Sequence, residues 1–195
     1  MSSGNLKIDH SWTLFLDRDG VINRRIVDEY VRKLEEFEFL PGVLDALKIL
    51  SNVFPRIIIV SNQQGVGKGF MTDQQVINLH EMMIKIINDA GGRIDKVYYC
   101  SAIQESNSFH RKPNIGMALS ARKDFPGINF KKSIMVGDSL SDMIFGKSVK
   151  MKTVFLSDEV SSIIKQYKLI DFLYPDLISF ANDLTNQQIN KSTNQ

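Results

Sequence analysis

The chain has 195 residues, 43% of them hydrophobic, with 24 Lys and Arg against 22 Asp and Glu for a formal charge of +2. That length suits one domain that buries a full core without staples, and the single Cys100 excludes both an internal disulfide framework and an all-cysteine metal cage, and fits a reducing compartment. Near-balanced charge argues against nucleic acid and membrane surfaces as partners, and neither a signal-peptide core nor an apolar run of ~18–20 residues is read, so the expectation is a soluble, cytoplasmic, globular protein, with a monomer as the default for a domain lacking a cap.

In chain order, residues 1–10 read as a polar N-terminal segment and residues 11–184 as a single domain. Trp12 to Leu16 (WTLFL) predicts a short buried strand. Residues 42–53 place Val43, Leu44, Leu47 and Leu50 at helical spacing. Arg56 to Val60 (RIIIV) predicts a second strand. Residues 73–90 follow Thr72, a suitable N-cap, and set Val76, Leu79, His80, Met83, Ile86 and Ile87 along one side before Gly91-Gly92 ends the helix. Val97 to Cys100 is a third strand, Pro113 to about Phe125 a helix with proline in its first turn, and Ser133 to Val136 a fourth strand. A helix follows Asp138, Thr153 to Leu156 is a fifth strand, and weaker helical patterns cover about 158–167 and 176–184. Residues 185–195 (TNQQINKSTNQ) are too polar to offset ordering entropy and read as a disordered tail.

The strands are β-branched or aromatic, without polar alternation, so both faces are expected to be covered. Strands alternating with helices predict an α/β fold: a doubly wound, Rossmann-like parallel sheet with helices on both faces. In such sheets ligands bind beyond the carboxyl ends of the strands. Those ends carry Asp17-Arg18-Asp19-Gly20, then Ser61-Asn62-Gln63, then a loop closing in His110-Arg111-Lys112-Pro113, then Gly137-Asp138-Ser139-Leu140-Ser141-Asp142. Each alone reads as caps and solvated loop. Together they set acids, a hydroxyl and two cations on one sheet edge. A phosphate monoester near Asp17 and Asp138 would gather roughly four negative charges. A divalent cation, most simply Mg²⁺, with Lys112 or Arg111 would make that tolerable. Phosphoryl transfer to a carboxylate is the chemistry this suggests.

The pattern resembles the haloacid dehalogenase superfamily of phosphatases, with DRDGV as its first motif, Ser61 its second, Lys112 its third and GDSLSD its fourth, over residues 12–156. Within it, DRDGVIN, FEFLPGV, SNQQGVGKG, YYC, RKP and VGDSLSDM are similar to the heptose bisphosphate phosphatase and histidinol-phosphatase branch. The resemblance implies Asp17 as nucleophile and Asp19 as general acid, then base, with Asp17 raising the pKa of Asp19. It implies Mg²⁺ on Asp17, Asp138 and the Asp19 carbonyl, phosphoryl oxygens on Ser61 and Lys112, and Asn62 and Arg111 toward substrate. Asp142 is left between an outer-shell role and pairing with Lys112. Segment 20–41 is too short for a large cap domain, so loops with Arg24, Arg25, Tyr30, Val31 and Lys68 would cover the site. The implied substrate is a small phosphorylated sugar, a heptose 1,7-bisphosphate first and histidinol phosphate second.

Two departures and two competing readings stand beside this. Relatives in the branch often carry a zinc loop, but the positions here are Cys100, Ala102, Ser108 and His110, so zinc is not expected. Ser139 stands where heptose phosphatases tend to carry lysine. Gly65-Val66-Gly67-Lys68-Gly69 suggests a nucleotide-binding loop, yet Asn62 replaces its first glycine and Gly69 its hydroxyl residue. A phospho-receiver would need its aspartate after strand three, where Cys100-Ser101-Ala102 stands.

Overall fold

Six strands form one sheet: Thr13–Leu16 (β1), Arg56–Asn62 (β2), Lys96–Cys100 (β3), Ser133–Gly137 (β4), Lys152–Leu156 (β5) and Phe172–Tyr174 (β6). The computed structural model describes residues 8–26, 31, 34–157 and 168–192. All pairings are parallel, in the order β3-β2-β1-β4-β5-β6, with Thr13 opposite Arg56 on one side and Ser133 on the other. This is the doubly wound arrangement, and the chain reverses direction across the sheet between β1 and β4.

Helices Val43–Val53 (α1), Gln64–Gly67 (α2), Asp73–Asp89 (α3), Gly116–Asp124 (α4), Leu140–Ser148 (α5) and Leu177–Ser192 (α6) complete the elements. Successive strand residues point to opposite faces. Leu14, Leu16, Ile57, Ile59, Ile134 and Val136 therefore join one core with Leu47 and Leu50 of α1, Met83 and Ile87 of α3 and Phe180 and Leu184 of α6. Phe15, Ile58, Val60 and Met135 join the other with Met117, Ala118 and Ala121 of α4 and Phe145 of α5. At about 1.5–3 kcal/mol for each large apolar side chain buried, two filled faces explain why Leu14–Leu16, Ile57–Val60 and Ile134–Val136 are apolar throughout.

Several boundaries differ from expectation. β2 runs through Asn62, so Ser61 and Asn62 are its last paired residues, opposite Tyr99 and Cys100, and do not follow the strand. α4 begins at Gly116, because residues 108–114 form turns held by Arg111 N–Ser108 O and Asn114 N–Arg111 O bonds. β6 is an unforeseen edge strand of three residues. α6 continues to Ser192, beyond the predicted end at 184 and into the stretch read as a tail; no glycine or proline interrupts 177–192, and Leu184 is anchored in the core. The helix expected over 158–167 lies outside the described residues. α3 matches its reading, with a Thr72–Gln75 capping box at its start. Between β1 and α1 the described residues form short bridges and one helical turn at Leu34–Glu36. Among the described residues no helix is long and apolar enough to cross a membrane.

Candidate active site

The two central strands end at the reversal point, and each delivers an aspartate there. Asp17 follows β1, its N–H donating to Val136 O of β4 at 2.9 Å, and Asp138 follows β4. The close approach depends on Gly20, whose φ is +87° and where a Cβ would collide with the Asp138 carboxylate. Oxygens of Asp17, Asp138 and Asp142 lie within 4.8 Å of one another.

Lys112 is the cation of this cluster. Its buried Nζ is 2.8 Å from Asp17 Oδ1 and 2.6 Å from Asp142 Oδ1, and it donates to Val60 O at 2.8 Å. Burial works against the ammonium, but Asp142 and Asp17 outweigh it and hold Lys112 above its ordinary range. Asn62 grips the Lys112 main chain from both sides, accepting from its N–H at 2.9 Å and donating to its carbonyl at 3.0 Å. Asp142 is thus a partner of Lys112, and it also receives the N–H of Ser139 at 3.1 Å and its hydroxyl at 2.6 Å at the start of α5.

One lysine cannot neutralise three clustered acids. Burial first, then the charge of Asp142, pushes Asp17 up to about 7 against the opposing pull of Lys112. Burial likewise lifts Asp138 to about 6, opposed by Arg25. Arg25 Nη2 lies 2.7 Å from Asp138 Oδ1 and 3.2 Å from the Asp19 carbonyl. A guanidinium therefore rests on two of the three oxygens expected to bind metal. An all-oxygen donor set with excess negative charge, already drawing a cation, fits a hard divalent ion.

Asp19 corrects the expected electrostatics. Asp17 is expected to raise its pKa, yet the Asp19 pKa is lowered. Burial alone would raise Asp19, but the buried Arg18 guanidinium beside it, with hydrogen bonds from Arg18, Asn23 and Gln63, keeps it below the ordinary carboxylate range. Arg18 Nη2 reaches its two oxygens at 2.8 and 3.0 Å, Asn23 Nδ2 donates at 2.9 Å and Gln63 Nε2 at 2.8 Å. The intervening residue of the DxD pair turns back and neutralises the second acid.

A cleft of about 440 Å³ opens over these groups, lined among others by Asp17, Asp19, Arg25, Val31, Lys68, Arg111 and Lys112, a size that suits a small ligand. Ser61 is fully buried and accepts from Gln63 Nε2 at 2.7 Å, so Gln63 and not Ser61 meets the cleft. Arg111 lines it while donating to Ala102 O at 3.1 Å. Of the covering residues read from sequence, Arg25, Val31 and Lys68 reach the cleft, whereas Arg24 pairs with Glu38 at 2.9 Å on the surface; Tyr30 lies outside the described residues. Arg18 and Gln63 also line the cleft and are not among the site residues expected from sequence. Cys100 Sγ is buried, 3.8 Å from Ser108 Oγ, and the His110 ring faces Phe109 and Ser120.

A profile of the polynucleotide kinase 3 phosphatase family matches residues 14–186. Over 140 residues the chain is 42% identical to the D-glycero-alpha-D-manno-heptose-1,7-bisphosphate 7-phosphatase of Mycobacterium bovis, a match covering 72% of this chain and 74% of that one. The chain belongs to the haloacid dehalogenase superfamily of phosphatases. This phosphatase is also 36% identical, over 149 residues, to the D-glycero-beta-D-manno-heptose-1,7-bisphosphate 7-phosphatase of Pasteurella multocida, covering 73% of this chain and 79% of that one. Its fold is shared with the crystal structure of the D,D-heptose 1,7-bisphosphate phosphatase from B. bronchiseptica complexed with magnesium and phosphate. The TM-score is 0.80 at 24% identity, over 90% of this chain and 99% of that one.

Proposed function

We propose that this phosphatase is Mg²⁺-dependent, works through an aspartyl-phosphate at Asp17, and removes the 7-phosphate of a D-glycero-D-manno-heptose 1,7-bisphosphate. The observation that carries the mechanism is the buried Asp17 held by Lys112 at the reversal point, with Asp138 facing it. The relatives named above act, by their names, on that bisphosphate, in both anomeric forms. A compact cleft and a charge of +2 favour a small ester over a polynucleotide. A monomer is the assembly this reading assumes.

Asp17, Asp138 and the Asp19 carbonyl would hold Mg²⁺, which when bound neutralises the acids and polarises the phosphoryl oxygens. Asp17 Oδ attacks phosphorus in line, the P–O bond to the sugar breaks, and the departing oxygen takes a proton from the Asp19 carboxyl, which is protonated for this step where the negative charge of the bound ester offsets the pull of Arg18. The carboxylate left on Asp19 then accepts a proton from water as that water attacks the aspartyl-phosphate, releasing phosphate and restoring Asp17. Lys112 offsets charge on the transferring group; Asn62 acts by holding the Lys112 main chain. Arg111 faces the substrate, and Ser61 reaches a phosphoryl oxygen once the Gln63 amide moves aside. Zinc has no part in this scheme.

A phosphate-release screen with Mg²⁺ tests it, using both anomers of heptose 1,7-bisphosphate, histidinol phosphate and a 3′-phosphorylated oligonucleotide. The reading expects kcat/KM at least tenfold higher on one heptose anomer than on the others. Histidinol phosphate or the oligonucleotide in first place would overturn the substrate assignment.

A further inference from the structure

Among the described residues Arg18 is the bulkiest fully buried side chain. A buried guanidinium presents five N–H donors that need acceptors. Nε and Nη2 take the Asp19 carboxylate, and Nη1 lies 3.1 Å from His80 Nε2. Arginine only donates, so Nε2 is the acceptor and the proton of a neutral ring sits on Nδ1. His80 is buried on α3, its ring meeting the edge of Tyr99 at a centroid distance of 5.6 Å. Tyr99 Oη in turn donates to Asp73 Oδ1 at 3.1 Å, at the start of the same helix. A rigid helix is thereby linked, through His80 and Arg18, to Asp19.

We propose that His80 is a positioning residue of the phosphatase reaction: its Nε2 fixes the plane of the Arg18 guanidinium, and Arg18 fixes the Asp19 carboxylate. The proposal deepens the reading of Asp19 as acid and base, and rests on it. A bulky apolar side chain could fill the same space against Tyr99, but it would leave Nη1 without an acceptor and the guanidinium free to rotate. His80 brings no compensating charge, since burial and then the neighbouring Arg18 push its pKa down to about 3. What it supplies is direction.

Leaving-group dependence separates positioning from packing. p-Nitrophenolate departs without a proton, whereas the alkoxide of β-glycerophosphate needs one. His80→Leu, His80→Gln and Asp19→Asn are compared with the parent enzyme in Mg²⁺, with circular dichroism to establish folding. For His80→Leu the first p-nitrophenolate should appear at a rate within about threefold of the parent. Its kcat on β-glycerophosphate should fall about 10–100-fold, with KM within about twofold. His80→Gln keeps an acceptor and should recover kcat to within about threefold. Should His80→Leu fail to fold, His80→Asn replaces it, its amide being too short to reach Nη1. Equal loss on both substrates, no loss on either, or a His80→Gln enzyme as slow as the Leu variant would overturn the proposal. An Asp19→Asn enzyme that turns β-glycerophosphate over at the parent rate would overturn the reading of Asp19 itself, which is a separate and visible failure.

Discussion

Replacing Lys112 by Met removes the one buried cation that touches Asp17 and Asp142 while keeping the side-chain volume. At 2.6–2.8 Å each contact corresponds to an attraction of about 6 kcal/mol at an effective dielectric near 20, before desolvation is counted. Desolvation offsets much of that, and the measurable loss on breaking a buried pair is about 3–5 kcal/mol, because the acids are left uncompensated. Urea unfolding in EDTA at pH 7 reads this without metal. With a slope near ~2 kcal/mol/M, the midpoint should fall by about 1.5–2.5 M. The double variant Lys112→Met/Asp142→Leu removes the orphaned acid as well, and should recover about 1–2 kcal/mol, less than a full return because the start of α5 loses the carboxylate that binds Ser139. A double variant that loses the full sum of the two single changes, or a Lys112→Met protein within about 1 kcal/mol of the parent, would refute the reasoning.

Two further consequences concern the acids and their packing. Asp17 and Asp138 have folded pKa values raised to about 7 and about 6, so their contribution to stability is fully present below the unfolded value near ~3.9 and is lost as pH rises through the folded values. The metal-free protein should therefore melt lower at pH 8 than at pH 5, and Mg²⁺ should raise Tm more at pH 8; an Mg²⁺ effect equal at both pH values, followed by differential scanning fluorimetry, would contradict this. Gly20→Ala should cost about 1–2 kcal/mol from the left-handed backbone alone and more from collision with Asp138, and should weaken Mg²⁺ binding measured by calorimetry.

The architecture was legible because both sheet faces are buried: runs such as RIIIV have no other stable placement in a chain of this size, and the strand ends then point to Asp17, Lys112 and Asp138. Distances across the sheet were not. Lys112 comes to Asp17 and Asp142 from 95 and 30 residues away in sequence, and only the pairing of β2 with β1 and the grip of Asn62 on the Lys112 main chain put it there. The DRD triplet misled through charge: two acids two residues apart suggest mutual repulsion, whereas the Arg18 side chain folds inward and inverts the order of the two pKa values. His80 followed the helical apolar stripe of α3 and looked like core, and one buried histidine among Val76, Leu79 and Met83 carries no signal of its partner. β6 is three residues long, below the length at which a pattern can be read.

The central claim is that Asp17 carries the phosphoryl group. Acid quench within a single turnover on ³²P-labelled substrate, followed by borohydride reduction and peptide mapping, tests it most directly. The label should be stoichiometric and acid-stable, residue 17 should be recovered as homoserine, and Asp17→Asn should give neither label nor turnover while remaining folded. Label on another residue, or an Asp17→Asn enzyme that still releases phosphate at the parent rate, would contradict the account.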